Sequence, residues 1–225
     1  AVGLRADPAA LVVADEEPKS YYYPPLELRL SEHPSFQTEG SYLFEPRVSP
    51  LELPVEVDLY APWERGARLR VVLGVDIGST STKAILLGEQ AQVLAGFYTR
   101  TAGQPLSAVQ GIFEALDSLA EERQIRLEVL AVGSTGAGRK FIGEVIGSDL
   151  ILNEITAHAR AAFELDPSTD TIIEIGGQDA KFTTLRDGVV TFSQMNTVCA
   201  AGTGSFIEEQ AAKLGVSLQE VSRRA

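Results

Sequence analysis

Cysteine is almost absent from this sequence, which has one, Cys199, among 225 residues. A single cysteine cannot form a disulfide within the chain, so nothing indicates an oxidising compartment. No stretch reaches the roughly 20 apolar residues that a membrane span requires. Lys and Arg number 19 against 31 Asp and Glu, and a net charge of −12 disfavours binding to a nucleic-acid polyanion. These absences predict a soluble cytoplasmic protein with no nucleic-acid and no membrane partner.

Proline divides the chain into two predicted parts. Residues 1–70 hold most of the prolines, and alternating apolar positions in "PLELRL" and "PVEVDLY" predict short strands there. We interpret 1–70 as a Pro-rich strand or linker segment, either a docking module or connector or strands laid over the main domain, and 71–225 as the second domain. Because Ser217 and Glu220 form a capping-box pattern close to the last residue, we expect a segment cut from a longer polypeptide.

Residues 71–225 show the pattern of an α/β fold. The apolar segments "RLRVVLGVDIG", "TKAILL" and "VLAGFYTR" are closely spaced, which predicts an antiparallel meander. Apolar residues at helical spacing predict a helix from Pro105, and Asp187-Gly188 predicts a hairpin turn. The whole order of strands and helices predicts a mixed sheet with helices packed against it.

A first polar loop, "VDIGSTSTK", lies between two apolar strands. Gly78 and Ser79 offer backbone amides in a tight bend, Thr80 adds a hydroxyl group, and Lys83 adds positive charge. Such a loop can cradle a polyphosphate, and Asp76 at the strand end suits a hydrated Mg²⁺. An ordinary polar hairpin turn fits the same residues.

A second loop, "EIGGQDAK", repeats this pattern about a hundred residues later. Gly176 and Gly177 allow a backbone to approach a ligand closely. Gln178 and Asp179 could orient a water for attack on a phosphate, or hold Mg²⁺ through its waters. Two similar loops predict a duplicated unit whose halves face one site.

A third loop, "GSTGAGRK", nearly matches the P-loop pattern but fails it twice. Arg139 stands where the pattern has Lys, and Phe141 follows Lys140 where the pattern has Ser or Thr. We therefore interpret this loop as a glycine-rich turn before a helix. The GxGxxG fingerprint is also missing, which disfavours a dinucleotide-binding dehydrogenase.

The lone cysteine lies in "CAAGTGSF", where Gly202, Thr203 and Gly204 precede an amphipathic helical pattern. The N-terminus of a helix can stabilise a phosphate, a thiolate or an anionic iron–sulfur cluster. Cys199 is close enough in sequence to be affected by the positive partial charge at the N-terminus of this helix. The alternative is an inert, buried, small apolar residue, and one cysteine alone cannot build a cluster site, which typically takes four thiolates.

Three segments, "LGVDIGSTSTKAILL", "IIEIGGQDAKF" and "MNTVCAAGTGSFIEEQA", occur in this order and resemble the activator components of 2-hydroxyacyl-CoA dehydratases. This is the BadF/BadG/BcrA/BcrD ATPase family, which includes subunits of benzoyl-CoA reductase, and the resemblance runs from about Leu73 to the end of the chain. It implies a ribonuclease-H-like fold of the acetate kinase/actin/hexokinase type. It also implies an activase that uses ATP hydrolysis to push one low-potential electron to a partner dehydratase or reductase.

The resemblance further implies a site and its cofactors, which are ATP, Mg²⁺ and a [4Fe–4S] cluster bridging a homodimer. Each subunit of such a dimer supplies two cysteines, and Cys199 matches the first. The matching residues are Asp76, Gly78, Ser79, Thr80 and Lys83 in the first phosphate loop, Gly176, Gly177, Gln178 and Asp179 in the second, and Gly202, Thr203 and Gly204 in the turn after the cluster ligand. Of these, Asp76, Gln178 and Asp179 are expected to be catalytic. The resemblance places the second cluster cysteine and the adenosine-binding Gly-Gly segment beyond residue 225. This chain alone is therefore expected to assemble no stable cluster and to bind ATP poorly.

Two other functions stay open at this point. A sugar or carboxylate kinase of the same fold would need a catalytic acid near its acceptor and no cysteine. A degenerate ATPase-like module could serve as a scaffold without catalysis.

Overall fold

The computed structural model describes residues 37–50, 52–198 and 202–224, which all lie in one unit of the chain. Its strands are β1 (Gly40–Phe44), β2 (Val55–Leu59), β3 (Arg68–Ile77), β4 (Ser81–Gly88), β5 (Val93–Arg100), β6 (Arg126–Thr135), β7 (Leu150–Ile151), β8 (Thr171–Ile175), β9 (Ala180–Arg186) and β10 (Val189–Met195). Its helices are α1 (Pro105–Arg123), α2 (Arg139–Val145), α3 (Glu154–Leu165), α4 (Gly204–Leu214) and α5 (Leu218–Arg224). None of these helices is both long enough and apolar enough to cross a bilayer.

Seven strands form the first sheet, in the order β1-β2-β5-β4-β3-β6-β7. The meander β3–β4–β5 is antiparallel, whereas β6 pairs parallel with β3 and with β7. Alternation along β3 places Val71, Leu73, Val75 and Ile77 on one buried face. Helix α1 contributes Ile112 to the same core, together with other buried residues from its apolar side.

The second sheet is a smaller antiparallel meander, β10-β9-β8. Three strands followed by a helix, β8–β10 and α4, repeat the order of β3–β5 and α1, which is the duplication that the sequence predicted. The two repeats differ in burial. Large apolar side chains of the second sheet, among them Ile173, Ile175 and Phe192, are exposed on one face.

The α/β fold class is confirmed, because a mixed sheet carries its helices in the expected order. The meander, the helix from Pro105 and the hairpin at Asp187-Gly188 are also confirmed. "PVEVDLY" forms β2, which pairs with β5, so part of the Pro-rich segment extends the first sheet. "PLELRL" lies outside the described residues. The sequence patterns did not indicate β1, or β7 with its two residues.

Glu114 on α1 fastens the Pro-rich segment to the core. Its carboxylate accepts backbone hydrogen bonds from Arg47, Val48 and Ser49 at 2.8, 3.0 and 2.6 Å. Burial raises the pKa of this carboxyl, but the three backbone hydrogen bonds outweigh it and hold the pKa below its ordinary value of 4.5. A lowered pKa stabilises the fold above the ordinary carboxyl pKa, and that contribution is lost as pH falls through the lowered value.

We predict that Glu114→Gln lowers the free energy of unfolding by about 1 kcal/mol at neutral pH, because a neutral amide replaces a charged acceptor of three N–H groups. The difference from wild type should shrink from neutral pH to an acidic pH below the lowered pKa of Glu114, where both side chains are neutral. Urea unfolding at the two pH values measures it, with the exposed Glu121→Gln on the same helix as control. A pH-independent difference would contradict the assignment.

Candidate functional site

The two glycine-containing loops form hairpins of the same geometry. In the first, Asp76 pairs with Lys83 across β3 and β4, and the Gly78 N–H donates to the Ser81 carbonyl at 3.0 Å. The second hairpin repeats both features. Glu174 pairs with Lys181 across β8 and β9, and Gly176 N–H donates to the Asp179 carbonyl at 2.8 Å.

The tips of the two hairpins meet. A β-carbon added at Gly177 would lie 2.7 Å from Thr80 Oγ1 and 3.1 Å from Thr80 Cβ, so the second loop approaches the first more closely than a side chain would allow. Between the hairpins lies one cleft. Its lining includes nine of the predicted site residues: Asp76, Gly78, Ser79, Thr80, Lys83, Gly176, Gly177, Gln178 and Asp179.

The third glycine loop also reaches this cleft, through Gly136 and Ala137. Gly136 has a φ of +86°, and a β-carbon there would lie 2.4 Å from Asp76 Oδ1. Gly138 N–H donates to the Ile77 carbonyl at 2.9 Å. The expected turn before a helix is confirmed, since α2 begins at Arg139. This loop packs against the first hairpin, a contact that sequence reasoning missed because it depends on the pairing of β3 with β6.

Helix α3 contributes two polar side chains to the cleft. Asn153 caps this helix by accepting a hydrogen bond from Thr156 N–H at 2.9 Å, which places Glu154 in the first turn and His158 one turn later. Both side chains point to the second hairpin. Glu154 lies 3.3 Å from Lys181 Nζ, and His158 Nδ1 lies 2.6 Å from Glu174 Oε2.

Lys181 is the buried cation of this cluster, with 6% of its side chain exposed. Its Nζ lies 3.1 Å from Glu174 Oε1 in addition to its contact with Glu154. Burial lowers the pKa of Lys181, but the hydrogen bonds and charges of Glu174 and Glu154 outweigh it and raise the pKa above 10.5. By contrast, Lys83 in the first hairpin is 44% exposed and lies 3.5 Å from Asp76 Oδ2.

The sequence could have indicated Lys181 and Glu174, since they stand where Lys83 and Asp76 stand in the first loop. It gave no comparable signal for Asn196. The amide of Asn196 accepts from Ala180 N–H at 3.0 Å and donates to the carbonyls of Gln178, at 3.3 Å, and Val198, at 2.7 Å. Asn196 therefore ties the end of β10 to the second loop.

The turn before α4 lies behind the second loop, outside the lining of the cleft. Gly204 N–H donates to the Gly176 carbonyl at 3.0 Å, and the buried Thr203 hydroxyl donates to the Gly177 carbonyl at 3.0 Å. Gly202 has a φ of +68°. Cys199 lies outside the described residues. Within the described ranges, no group of three or more His, Asp or Glu side chains is arranged to hold a metal ion.

The cleft measures about 100 Å³, well below the roughly 300–1,000 Å³ of pockets that enclose a whole small molecule. It therefore suits a phosphate tail better than a complete nucleotide. A groove of about 800 Å³ adjoins it on the open face of the first sheet and shares Asp76 and Lys83 with it. The groove is lined mostly by apolar side chains, so the features suited to phosphate are concentrated in the smaller cleft.

A family model described as the BadF/BadG/BcrA/BcrD ATPase family matches residues 73–225. The chain belongs to this family. That membership confirms the resemblance and, with the topology above, the expected ribonuclease-H-like fold class.

Two similar members are named as activators. The (R)-2-hydroxyglutaryl-CoA dehydratase activating ATPase of Acidaminococcus fermentans is 32% identical over 150 residues, which cover 67% of this chain and 56% of that protein. The activator of lactoyl-CoA dehydratase from Anaerotignum propionicum is 36% identical over 153 residues, with coverages of 67% and 56%. The chain thus spans little more than half the length of these relatives.

Solved structures of two members share the fold. Component A of the A. fermentans (R)-2-hydroxyglutaryl-CoA dehydratase matches with a TM-score of 0.58 at 30% identity, covering 68% of this chain and 57% of that one. The activator of the 2-hydroxyisocaproyl-CoA dehydratase from Clostridium difficile, with bound ADPNP, matches with a TM-score of 0.55 at 32% identity, covering 67% and 54%.

We predict that Gly177→Ala lowers the free energy of unfolding by about 1–3 kcal/mol, because its methyl group would force the hairpin tips apart. Removing the opposing hydroxyl and methyl groups in Gly177→Ala/Thr80→Ala should restore part of the loss. Chemical denaturation measures both variants. Gly40→Ala, where a β-carbon would meet open space, is the control. A Gly177→Ala protein as stable as wild type would contradict the close contact.

We also predict that Lys181→Met lowers the free energy of unfolding by about 2–4 kcal/mol, because it leaves two half-buried carboxylates without their cation. Lys83→Met, the same change at the equivalent position of the first hairpin, should cost less than about 1 kcal/mol, since that pair is exposed. Unfolding in urea at neutral pH compares the two. Equal losses would show that the burial of Lys181 is irrelevant to its ion pairs.

Proposed function

We propose that the chain carries the phosphate-binding part of an ATPase activator. In this function, ATP hydrolysis drives the transfer of one low-potential electron to a 2-hydroxyacyl-CoA dehydratase or a benzoyl-CoA-reductase-type partner. The observation that supports it most is the meeting of two like hairpins at one cleft, in a member of an ATPase family. Activators of dehydratases among the relatives support the class of partner, and a relative with bound ADPNP supports the nucleotide.

The residues of the cleft suit hydrolysis. The glycine turns let the backbone approach phosphate oxygens closely, and Lys83 adds a positive charge beside them. Gln178 and Asp179 orient the water that attacks the γ-phosphorus. A bond forms between this water oxygen and the phosphorus, the bond to the bridging oxygen of ADP breaks, and the proton of the water leaves to a carboxylate or to solvent.

The charges of the cleft fit a divalent cation. Four carboxylates line it against two lysines: Asp76, Glu154, Glu174 and Asp179 against Lys83 and Lys181. This balance by itself repels a polyphosphate. Mg²⁺ binds one or two carboxylates together with phosphate oxygens and waters, and when bound it supplies the missing positive charge. Asp76 and Asp179, one from each hairpin, are the residues that we propose to hold it through its waters.

A [4Fe–4S] cluster, when bound, supplies the one-electron redox chemistry. The proposed ligand from this chain is Cys199, its one cysteine. Two copies of the chain provide two thiolates, half of the usual set of four. A cluster that bridges a homodimer therefore requires two further thiolates, which residues 1–225 do not contain. The electron-transfer activity that we propose for the whole activator depends on the same two thiolates.

Titration calorimetry with Mg·ATP tests the site. We expect wild type to bind weakly, and Lys83→Ala and Asp76→Asn to bind about tenfold more weakly still, since the first removes the positive charge beside the phosphates and the second removes a residue proposed to hold Mg²⁺. Lys140→Ala is the control, because Lys140 is the lysine of the third loop, is exposed and does not line the cleft.

Unweakened binding in Lys83→Ala, or loss of binding in Lys140→Ala, would contradict the proposed site. If wild type binds no nucleotide at all, a scaffold role is favoured. Product analysis separates the remaining alternative, since an activator releases inorganic phosphate in the absence of an acceptor, whereas a kinase transfers phosphate to a sugar or a carboxylate.

A further inference from the structure

In each half of the duplicated fold, a buried threonine before the helix holds the hairpin. Thr101, just ahead of α1, donates its hydroxyl hydrogen bond to the Gly78 carbonyl at 2.8 Å. Thr203, just ahead of α4, donates in the same way to the Gly177 carbonyl at 3.0 Å. The two threonines are 3% and 0% exposed. Each hairpin tip is therefore tied directly to the helix that follows its meander.

The second hairpin is tied more tightly. The Gly177 carbonyl also accepts hydrogen bonds from the Ser205 N–H at 2.9 Å and from the Ser205 hydroxyl at 2.5 Å. The Gly176 carbonyl accepts from Gly204 N–H. Four hydrogen bonds thus join the first turn of α4 and its flanking threonine to two adjacent carbonyls of the loop.

The two helices differ in what else holds them. Helix α1 buries seven residues, among them Val109, Ile112 and Leu119, in the core of the first sheet. Helix α4 buries one, Ala211, while Phe206 and Leu214 are 47% and 74% exposed. Tertiary packing therefore fixes α1 independently of its hairpin. Within the described part of the chain, α4 relies on its hydrogen bonds to the second loop more than on packing.

We infer that Thr203 and Ser205 are positioning residues that make the second phosphate loop and the start of α4 one mechanical unit, so that occupancy of the cleft controls the stability of α4. This inference rests on the proposed function, because it takes a nucleotide phosphate as the ligand of the loop. A ligand that orders the loop also orders whatever the loop holds, since local opening of either part breaks the same hydrogen bonds. Helix α1 packs into the core of the first sheet, so its stability should not change when the cleft is occupied.

Hydrogen exchange followed by mass spectrometry tests the coupling, with Mg·ADPNP at concentrations that saturate each variant. In wild type, we expect exchange at residues 206–214 to slow by about tenfold on saturation, along with exchange at 176–181. In Ser205→Ala and Thr203→Val, residues 176–181 should still slow, while the slowing at 206–214 should fall to about threefold, because each variant removes one of the four hydrogen bonds. Thr203→Ser, which keeps the hydroxyl group, should restore the response. Thr101→Val is the matched control in the first half and should leave the response of α4 intact.

Equal slowing of 206–214 in wild type and in both variants would overturn the coupling. So would a wild-type protein in which 176–181 slow but 206–214 do not, and that result would leave the proposed nucleotide site standing. If 176–181 themselves fail to respond in wild type, the proposed function fails and the coupling fails with it. Using two variants guards against misfolding of either one, since Ser205→Ala removes a single hydroxyl from a partly exposed position.

Discussion

The contact between Gly177 and Thr80 is the constraint on which the site depends. The two hairpins are distant in sequence, yet their tips approach so closely that no side chain would fit at position 177. The charged side chains of both hairpins therefore line one cleft, because each hairpin carries an acidic residue on its first strand and a lysine on its second. Glycine at 177 is required by this approach, and glycine at 136 by the approach of the third loop to Asp76.

The two hairpins share a geometry but differ in electrostatics. Lys83 is exposed and loosely paired, which leaves its charge available to a ligand, whereas Lys181 is buried between Glu154 and Glu174. A buried cation held by two carboxylates fixes the relative placement of α3 and the second sheet more than it attracts an anion. Lys181 therefore serves the structure, whereas Lys83 is the lysine that we propose to contact the phosphates.

Sequence reasoning identified the local features and missed the long-range ones. The meander, α1 and both phosphate loops follow from apolar periodicity and from glycines next to polar residues, which are signals contained in a few consecutive positions. Other roles depend on which strands and helices become neighbours, and no local sequence pattern encodes this neighbourhood. They are those of Gly136, Asn196 and the ion pair of Glu154 with Lys181. The sequence places Thr203 just before a helix, but only the fold shows that its hydroxyl donates to the Gly177 carbonyl.

The central claim is that both hairpins bind one phosphate tail. A crystal structure of the protein with Mg·ADPNP tests it most directly. The account predicts the β- and γ-phosphates between residues 78–80 and 176–178, with Lys83 Nζ within hydrogen-bonding distance of a phosphate oxygen. Nucleotide density elsewhere, such as along the third loop at 136–140, with the two hairpin tips untouched, would contradict it.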